Sequence, residues 1–535
     1  MALETPDTPA RPNDAAASPA SGPAVAAELD PRRWWALAVL CLSLLLIVMD
    51  NTIVNVALPT IQRDLDATGS ELQWIVDAYV LVFAGLLLTM GSLGDRFGRK
   101  PALSLGLVVM GGASAISAWS SDPSHLIFWR AVMGIGGALI MPATLSILTN
   151  VFTDHRERAR AIAIWAGTSG MAVAIGPVTG GWLLDHFWWG SVFLVNVPVV
   201  VVALVAGHRI IPDSKDPHPP ALDPFGAALS IVGLVTLVWA IIEAPQKGWT
   251  DRTTLGAFAV ATVLLVGFVV HERRSDHPML DVGFFRNPRF SAASGAITMT
   301  FFAMFGTLFL FTQYMQFVLG YSPLATGARF IPMALVTMVV APSSARIVER
   351  VGTKAVVATG LTMTSVALAL GTFLTAGGGY LPLLGVLVVM AVGMGLTMAP
   401  ATESIMGSLP LTKAGVGSAV NDTTRQVGGA LGVAVMGSLL ASAYGAKMAD
   451  FLAGLPTAVP DAAASAIEDS VGAAVNVAAG LPGPAADALT GAARTAYVEA
   501  MGTSLWLAAG VALLGAIVAL VALPARATVP EDSAG

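Results

Sequence analysis

From Trp34 to Gln62 the chain carries one charged side chain, Asp50, in 29 residues. An α-helix needs about 20 apolar residues to cross the hydrocarbon core of a bilayer. Backbone N–H and C=O groups find no water there, so a span must satisfy them within itself, as a helix does. Runs of this kind recur to the end of the sequence. The 535 residues are 55% hydrophobic and 12% charged, with a mean hydropathy of +0.74, whereas soluble domains run near ~25% charged. The spacing predicts an all-α integral membrane protein with fourteen spans: 34–58, 73–94, 101–120, 124–150, 159–184, 190–211, 225–244, 254–271, 289–318, 323–345, 354–376, 380–407, 414–444 and 500–523.

An even number of spans puts both termini on one side, and basic residues decide which side. With the N-terminus inside, the tails, the inward loops and the span ends that adjoin them hold 20 of the 28 Lys and Arg, and the outward loops hold five. Cytoplasmic loops are enriched in Lys and Arg, so both termini are expected in the cytoplasm of a cell (inner or plasma) membrane. Residues 1–33 read as a disordered tail and not a signal peptide, because no basic start leads directly into an apolar core. Residues 524–535 read as a second cytoplasmic tail. The segment 445–499 faces outside and is Ala-rich with helical spacing, which suggests a solvated, partly helical cap. A cation-attracting vestibule is the alternative, from Asp450, Asp461, Glu468, Asp469, Asp487 and Glu499.

The single cysteine, Cys41, excludes a disulfide framework or a redox centre. The absence of a Gly-x-x-x-x-Gly-Lys-Ser/Thr stretch removes P-loop ATP hydrolysis as an energy source. No domain-scale basic patch points to nucleic acid. No cofactor, metal site or catalytic residue is expected.

Between the second and third spans lies Gly91-Ser-Leu-Gly94-Asp95-Arg96-Phe-Gly98-Arg99-Lys100, a turn short enough to force antiparallel neighbours. Glu349-Arg350-Val351-Gly352-Thr353-Lys354 copies its second half at an offset of 254 residues, as parallel internal repeats of a transporter would. The turn, at Gly91, Gly94, Asp95, Arg96, Gly98, Arg99 and Lys100, resembles the loop that marks the major facilitator superfamily, where it gates the conformational change. The repeat leaves an N-terminal bundle 34–211, an inserted pair of helices within 212–288, and a C-terminal bundle 289–523. This six-two-six plan, with halves related by a pseudo-two-fold axis, resembles the fourteen-helix drug:proton antiporter branch.

A charge placed in hydrocarbon costs at least ~2.5–3.5 kcal/mol on insertion scales, so each such residue needs a reason. Asp50 lies sixteen residues past Trp34, roughly 24 Å up its helix at 1.5 Å per residue. Its surroundings, Asp50-Asn51-Thr52-Ile53-Val54-Asn55-Val56-Ala57-Leu58-Pro59, are similar to the first-helix signature of that branch. The resemblance implies an aspartate that faces the central cavity and takes part in proton coupling. Loss of water favours a neutral carboxyl and a nearby cation favours a charged one, so a proton and a cationic substrate would compete there. A structural hydrogen bond is the alternative. Arg130, which opens Arg130-Ala-Val-Met-Gly134-Ile-Gly136-Gly137, resembles the family's fourth-helix motif and lies near the depth of Asp50 and Asp77. A salt bridge to either acid would compensate the guanidinium.

Gly170, Gly176, Pro177, Gly180 and Gly181 in the fifth span resemble the antiporter motif, which implies export. Gly176 and Gly180 give a smooth face for close helix contact, and Pro177 removes a backbone donor. Trp188–Pro198 is again similar to the quaternary-ammonium exporters of the branch. Asp77 is expected near the outer mouth, as an interfacial carboxylate or a functional one. Glu403 sits near the inner end of its span, to receive cargo or simply as a solvated helix end. Asp422 and Arg425 are three apart, hence on one helical face, and fit a self-satisfied pair. The ninth span carries Phe301, Phe302, Met304, Phe305, Phe309, Phe311, Tyr314 and Met315 with Gln313 and Gln316, surface from which two or three residues could line a pocket for an organic cation. The tenth span holds no acid, only Arg329.

The expected function is proton-driven export of amphipathic, cationic small molecules by a monomer working through alternating access. A dedicated natural-product exporter of the same fold is the nearer alternative, and a channel or membrane sensor the distant one.

Overall fold

The computed structural model describes residues 32–215, 222–276, 278–409, 414–456 and 459–524. The two predicted tails therefore fall almost wholly outside the described residues. Among the described residues there is no strand, and fourteen helices are long and apolar enough to cross a membrane. Numbered in chain order, they are α1 (Arg33–Leu65), α2 (Gly69–Phe97), α3 (Arg99–Ser117), α4 (Pro123–Val151), α5 (Arg156–His186), α6 (Ser191–Ile210), α7 (Pro224–Lys247), α8 (Arg252–Arg274), α9 (Pro288–Val318), α10 (Pro323–Val351), α11 (Thr353–Gly371), α12 (Tyr380–Met406), α13 (Gly417–Ala453) and α14 (Gly483–Ala522). Between α13 and α14 lie two short helices, Asp461–Asp469 and Val471–Ala479, called here the cap helices.

Local chemistry sets several boundaries. Thr68 and Glu71 form a reciprocal capping box at the start of α2, which satisfies two orphan donors of that helix end. Asp122, Asp154, Asp223, Asp251 and Ser322 each accept a backbone N–H at the start of α4, α5, α7, α8 and α10. The turns Phe97–Arg99 and Val351–Thr353 both pivot on a glycine with φ in the left-handed region, +117° at Gly98 and +87° at Gly352. A side chain at either site would be strained, so the sequence repeat at these two glycines is also a backbone repeat.

The packing repeats as well. The main pairings among the first six helices are α1–α5, α2–α4, α3–α4, α3–α6, α1–α6 and α1–α4. They recur as α9–α13, α10–α12, α11–α12, α11–α14, α9–α14 and α9–α12, each number raised by eight. Glycines let the backbones touch at matching places. A Cβ on Gly106 would lie 2.9 Å from the Gly136 carbonyl oxygen, and one on Gly360, 254 residues later, 2.6 Å from that of Gly393. Without a side chain, van der Waals contact between helix backbones supplies the attraction that the hydrophobic effect cannot supply in lipid.

The two sets of six meet through α2–α13 and α5–α10, which exchange under the same shift of eight. Helices α7 and α8 pair with each other. The first of them lies against α2 and α13, while α8 keeps only a small buried fraction.

The bundle has two ends. One carries Asp95 and the starts of α1, α3 and α5, with Arg33 paired to Glu157 at 2.9 Å; the other carries the cap helices. At the cap end α5 and α10 touch backbone to backbone: a Cβ on Gly181 would lie 2.5 Å from Leu324 Cα, and one on Gly327 would meet the Pro177 carbonyl. Nearer the Asp95 end, Gly170 is exposed with no atom near its Cβ direction, and Leu335, Met338 and Val339 of α10 are exposed. The α5–α10 seam is closed at the cap end and parts towards the other.

Candidate functional site

The first six helices bury one ion pair completely. Asp50 of α1 and Arg130 of α4 are both 0% exposed, and Arg130 Nη1 donates to Asp50 Oδ2 at 2.6 Å. The second carboxylate oxygen, Oδ1, accepts from Asn196 Nδ2 of α6 at 2.8 Å. The same amide reaches Ser114 Oγ of α3 at 3.0 Å, and Ser114 in turn donates to the Phe193 carbonyl. Arg130 Nε donates to the Ile75 carbonyl of α2 at 2.9 Å, and the guanidinium stands 4.5 Å from the centre of the Tyr79 ring. Five helices thus converge on one charge pair. Arg130 Nη2 and the Tyr79 hydroxyl have no partner, so the network has unused bonding capacity on its α2 side.

The pairing settles one alternative: Arg130 meets Asp50 and not Asp77. It also changes the expected setting of Asp50. The resemblance implies a cavity-facing carboxylate, but here Asp50 is enclosed by α1, α4 and α6 with no exposed surface. Asn196 and Ser114 fix its second oxygen; Asn196 lies in the Trp188–Pro198 stretch noted in the sequence but was given no role there, and Ser114 was not singled out. The signal for Asn196 was a lone amide in an otherwise apolar run just before Pro198.

Asp77 differs most from expectation. It is not an interfacial carboxylate; it is 0% exposed, and neither oxygen has a partner. One turn before it on α2, Gln73 accepts from Ser438 Oγ and packs on Gly437 of α13. Residues i and i+4 share a helix face, which places Asp77 on the face that meets α13. A buried carboxyl without a partner is costly when ionised.

The remaining acids are scattered. Glu403 is exposed at the Asp95 end of α12. Asp422 and Arg425 do form a pair, at 3.7 Å, and Arg425 also reaches Thr402 Oγ1 and stands over Phe301. Arg329 bonds the Ala325 carbonyl in its own helix and lies 3.7 Å from the centre of the Tyr321 ring. Gln316 binds the Val56 carbonyl of α1 across the two bundles, within a π-helical turn, Tyr314–Val318, that ends α9. Phe309 and Gln313 are the two ninth-span residues lining a small cavity beneath the cap helices.

In the Gly91–Lys100 turn, Asp95 pairs with Arg99 at 2.8 Å, both partly exposed. Arg99 N–H also donates to the Ser214 carbonyl, and Lys100 Nζ to the His208 carbonyl. The turn is thereby tied to the last turn of α6 and to the segment after it. In the antiporter-like stretch of α5, Gly176 packs on Met49 and Thr52 and Gly180 on Ile53, both against α1, while Gly181 and Pro177 meet α10. Gly170 takes no part in this contact.

Two bundles of six matching helices that meet on a symmetric seam, with a buried charge pair in the first, define an alternating-access membrane transporter. Residues 40–433 match the Major Facilitator Superfamily, and the chain belongs to that family. The multidrug efflux pump LfrA of Mycolicibacterium smegmatis is 41% identical over 335 residues, 63% of this chain and 66% of that protein. The tetracenomycin C resistance and export protein of Streptomyces glaucescens is 35% identical over 550 aligned positions, spanning 100% of both chains. Among solved structures, the inward-facing, unoccupied form of a bacterial homologue of the human lysosomal transporter Spinster superposes with a TM-score of 0.64. It is 17% identical, and the match covers 92% of this chain and 98% of that one.

Proposed function

We propose that this protein exports amphipathic organic cations in exchange for protons across the cell membrane, acting as a monomer. The Asp95 end faces the cytoplasm with both termini, and the cap helices face outside. The first bundle spans 34–211, the inserted pair lies within 212–288, and the second bundle spans 289–523. The excess of Lys and Arg at the Asp95 end supports this orientation. In that orientation the closed seam at the cap end makes this the inward-open state.

The observation that carries the coupling is the sealed Asp50–Arg130 pair. Because Asp50 has no open surface here, drug and proton do not meet on one carboxylate in this state. Protonating Asp50 would free Arg130 from its anionic partner, leaving it bonded to the Ile75 carbonyl and stacked on Tyr79, both on α2. Helix α2 also carries Asp77 and lies on the seam with α13, so a change in how Arg130 holds α2 reaches the interface that must rock. Asp77 is the second proton-binding candidate on the same helix. Glu403 and Asp422, near the cytoplasmic opening, supply negative charge where a cationic drug arrives.

Ethidium efflux from cells overexpressing the protein tests the reading. Export should stop when a protonophore is added at constant ATP, and efflux that persisted would exclude proton coupling. The relative involved in tetracenomycin C export aligns along the whole chain, which favours a second reading: an exporter dedicated to one natural product. A panel of dyes and antibiotics separates broad from narrow range.

A further inference from the structure

The segment between α13 and α14 does more than cover the bundle. Its first cap helix packs on α13 and its second on α14, so it is carried by the last six helices. Its underside is apolar, with Ile467, Val471, Ala474 and Ala478 buried. Where the two cap helices join, Asp469 and Ser470 reach across to the other bundle. Asp469 Oδ2 accepts the backbone N–H of Gly69, the first residue of α2, at 2.8 Å. Its Oδ1 accepts from Gln246 of α7 at 3.3 Å. The Ser470 hydroxyl accepts from the buried Gln62 amide of α1 at 2.7 Å and also caps the second cap helix by accepting from Ala473 N–H. Gly472 packs directly against the Gln62 side chain. Beneath lies the small cavity bounded by Gln73, Phe309, Gln313, Tyr444 and Tyr497, in which the Tyr444 hydroxyl has no partner.

We infer that Asp469–Ser470 is a latch: it fastens the cap, which moves with the last six helices, onto the outer ends of α1, α2 and α7, and it releases each time the cap end opens. Rocking that opens the cap end separates α1 and α2 from α13 and α14, and among the described residues Asp469 and Ser470 are the side chains of the junction that hydrogen-bond across this gap. The first backbone N–H of a helix has no partner within the helix, and a carboxyl oxygen supplies one whether or not the group carries a proton, which holds the contact when closed. Across the gap it consists of three hydrogen bonds with Gly472 packed on Gln62, so it can break without unfolding the cap.

The latch rests on the alternating-access reading, and the test separates the two. A Cβ on Gly69 would stand 3.4 Å from the Asp469 carbonyl oxygen, so a cysteine fits there. In a Cys41→Ser background, Gly69→Cys with Asp469→Cys should form a disulfide on oxidation. Ethidium efflux should then fall to the level of cells without the protein and return on reduction, while each single cysteine variant ignores the oxidant. Failure to crosslink would overturn the contact, and unimpaired export by the crosslinked protein would overturn the latch. No export from the Cys41→Ser parent, which keeps Gly69 and Asp469, would count against transport itself. A second arm needs no transport: in the same background, Gln73→Cys beneath the cap should react several-fold faster with a membrane-impermeant maleimide when Asp469 is also changed to Ala. Equal rates would overturn the latch.

Discussion

Asp50 and Arg130 answer to different demands, and their variants should separate them. Removing one partner of a buried ion pair leaves the other uncompensated, at about 3–5 kcal/mol. Arg130→Ala is therefore expected to lower folded yield sharply, as read by detergent-solubilised protein and its melting temperature. Asp50→Asn keeps the shape and an acceptor for Arg130, so it should fold, bind drug and lose proton-driven efflux. A folded Asp50→Asn that releases a proton on drug binding and exports at the parent rate would move coupling to Asp77. The sequence made the need for a partner legible, because a guanidinium in hydrocarbon demands one. Which acid answers was not legible: Asp50 and Asp77 lie at similar depth, and only the rotation of α2 about its axis turns Asp77 towards α13 and Tyr79 towards Arg130. The role of Asn196 and the presence of Ser114 stayed hidden for a related reason, since a neutral side chain in a span costs too little to demand a partner.

At the scale of elements, the fourteen spans were readable from hydropathy, but their ends were not. Helix α13 was expected to end at 444 and α14 to begin at 500; they run to Ala453 and from Gly483. Alanine-rich stretches are helical in water and lipid alike, so composition changes at the membrane surface while the helix does not. The two ends of the bundle then make separate predictions. Gly181→Val places methyl groups where α10 backbone already sits, and overpacking of this kind costs about 1–3 kcal/mol. Because only the closed cap end has this contact, the variant should populate the outward-open state, seen as faster labelling of Gln73→Cys from outside; unchanged labelling would show that the seam tolerates the bulk. Asp95→Asn removes a partly exposed ion pair worth about 1 kcal/mol or less, so insertion and stability should hold while turnover slows. Normal turnover would remove Asp95 from the gate. Asp469 adds a pH dependence. Burial pushes its carboxyl above the usual range, against the lowering effect of the Gly69 N–H, and Glu71 of α2 adds to the rise. The other titratable group facing it is Tyr444 of α13. A group whose affinity for protons is higher when the cap is closed favours closure while protonated. The closed cap should thus dominate in acid and loosen as pH rises through the raised pKa. Labelling of Gln73→Cys, taken relative to an exposed reference cysteine, should rise over that window, and Asp469→Asn should flatten the rise.

Across the whole molecule the repeat at 254 residues was the most informative pattern in the sequence, because it predicted pairings that no local rule gives. It reappears in the turns at Gly98 and Gly352, in the Gly106–Gly136 and Gly360–Gly393 contacts, and in the exchange of α2–α13 with α5–α10. The two bundles are not equivalent in charge, however. The first holds the sealed Asp50–Arg130 pair and the Asp95–Arg99 bridge, while among the described residues Glu349 and Arg350 of the second copy make no ion pair. Proton coupling in the first bundle and cargo surface between the two is the division of labour this asymmetry supports, and purified protein in vesicles tests it most directly. Proteoliposomes without ATP, acidic inside, should accumulate ethidium above its equilibrium level as protons leave, and a protonophore should abolish the excess. Vesicles with Asp50→Asn should let ethidium equilibrate without concentrating it. Accumulation that survives the protonophore, or parent and Asp50→Asn proteins that concentrate the dye equally, would contradict the account.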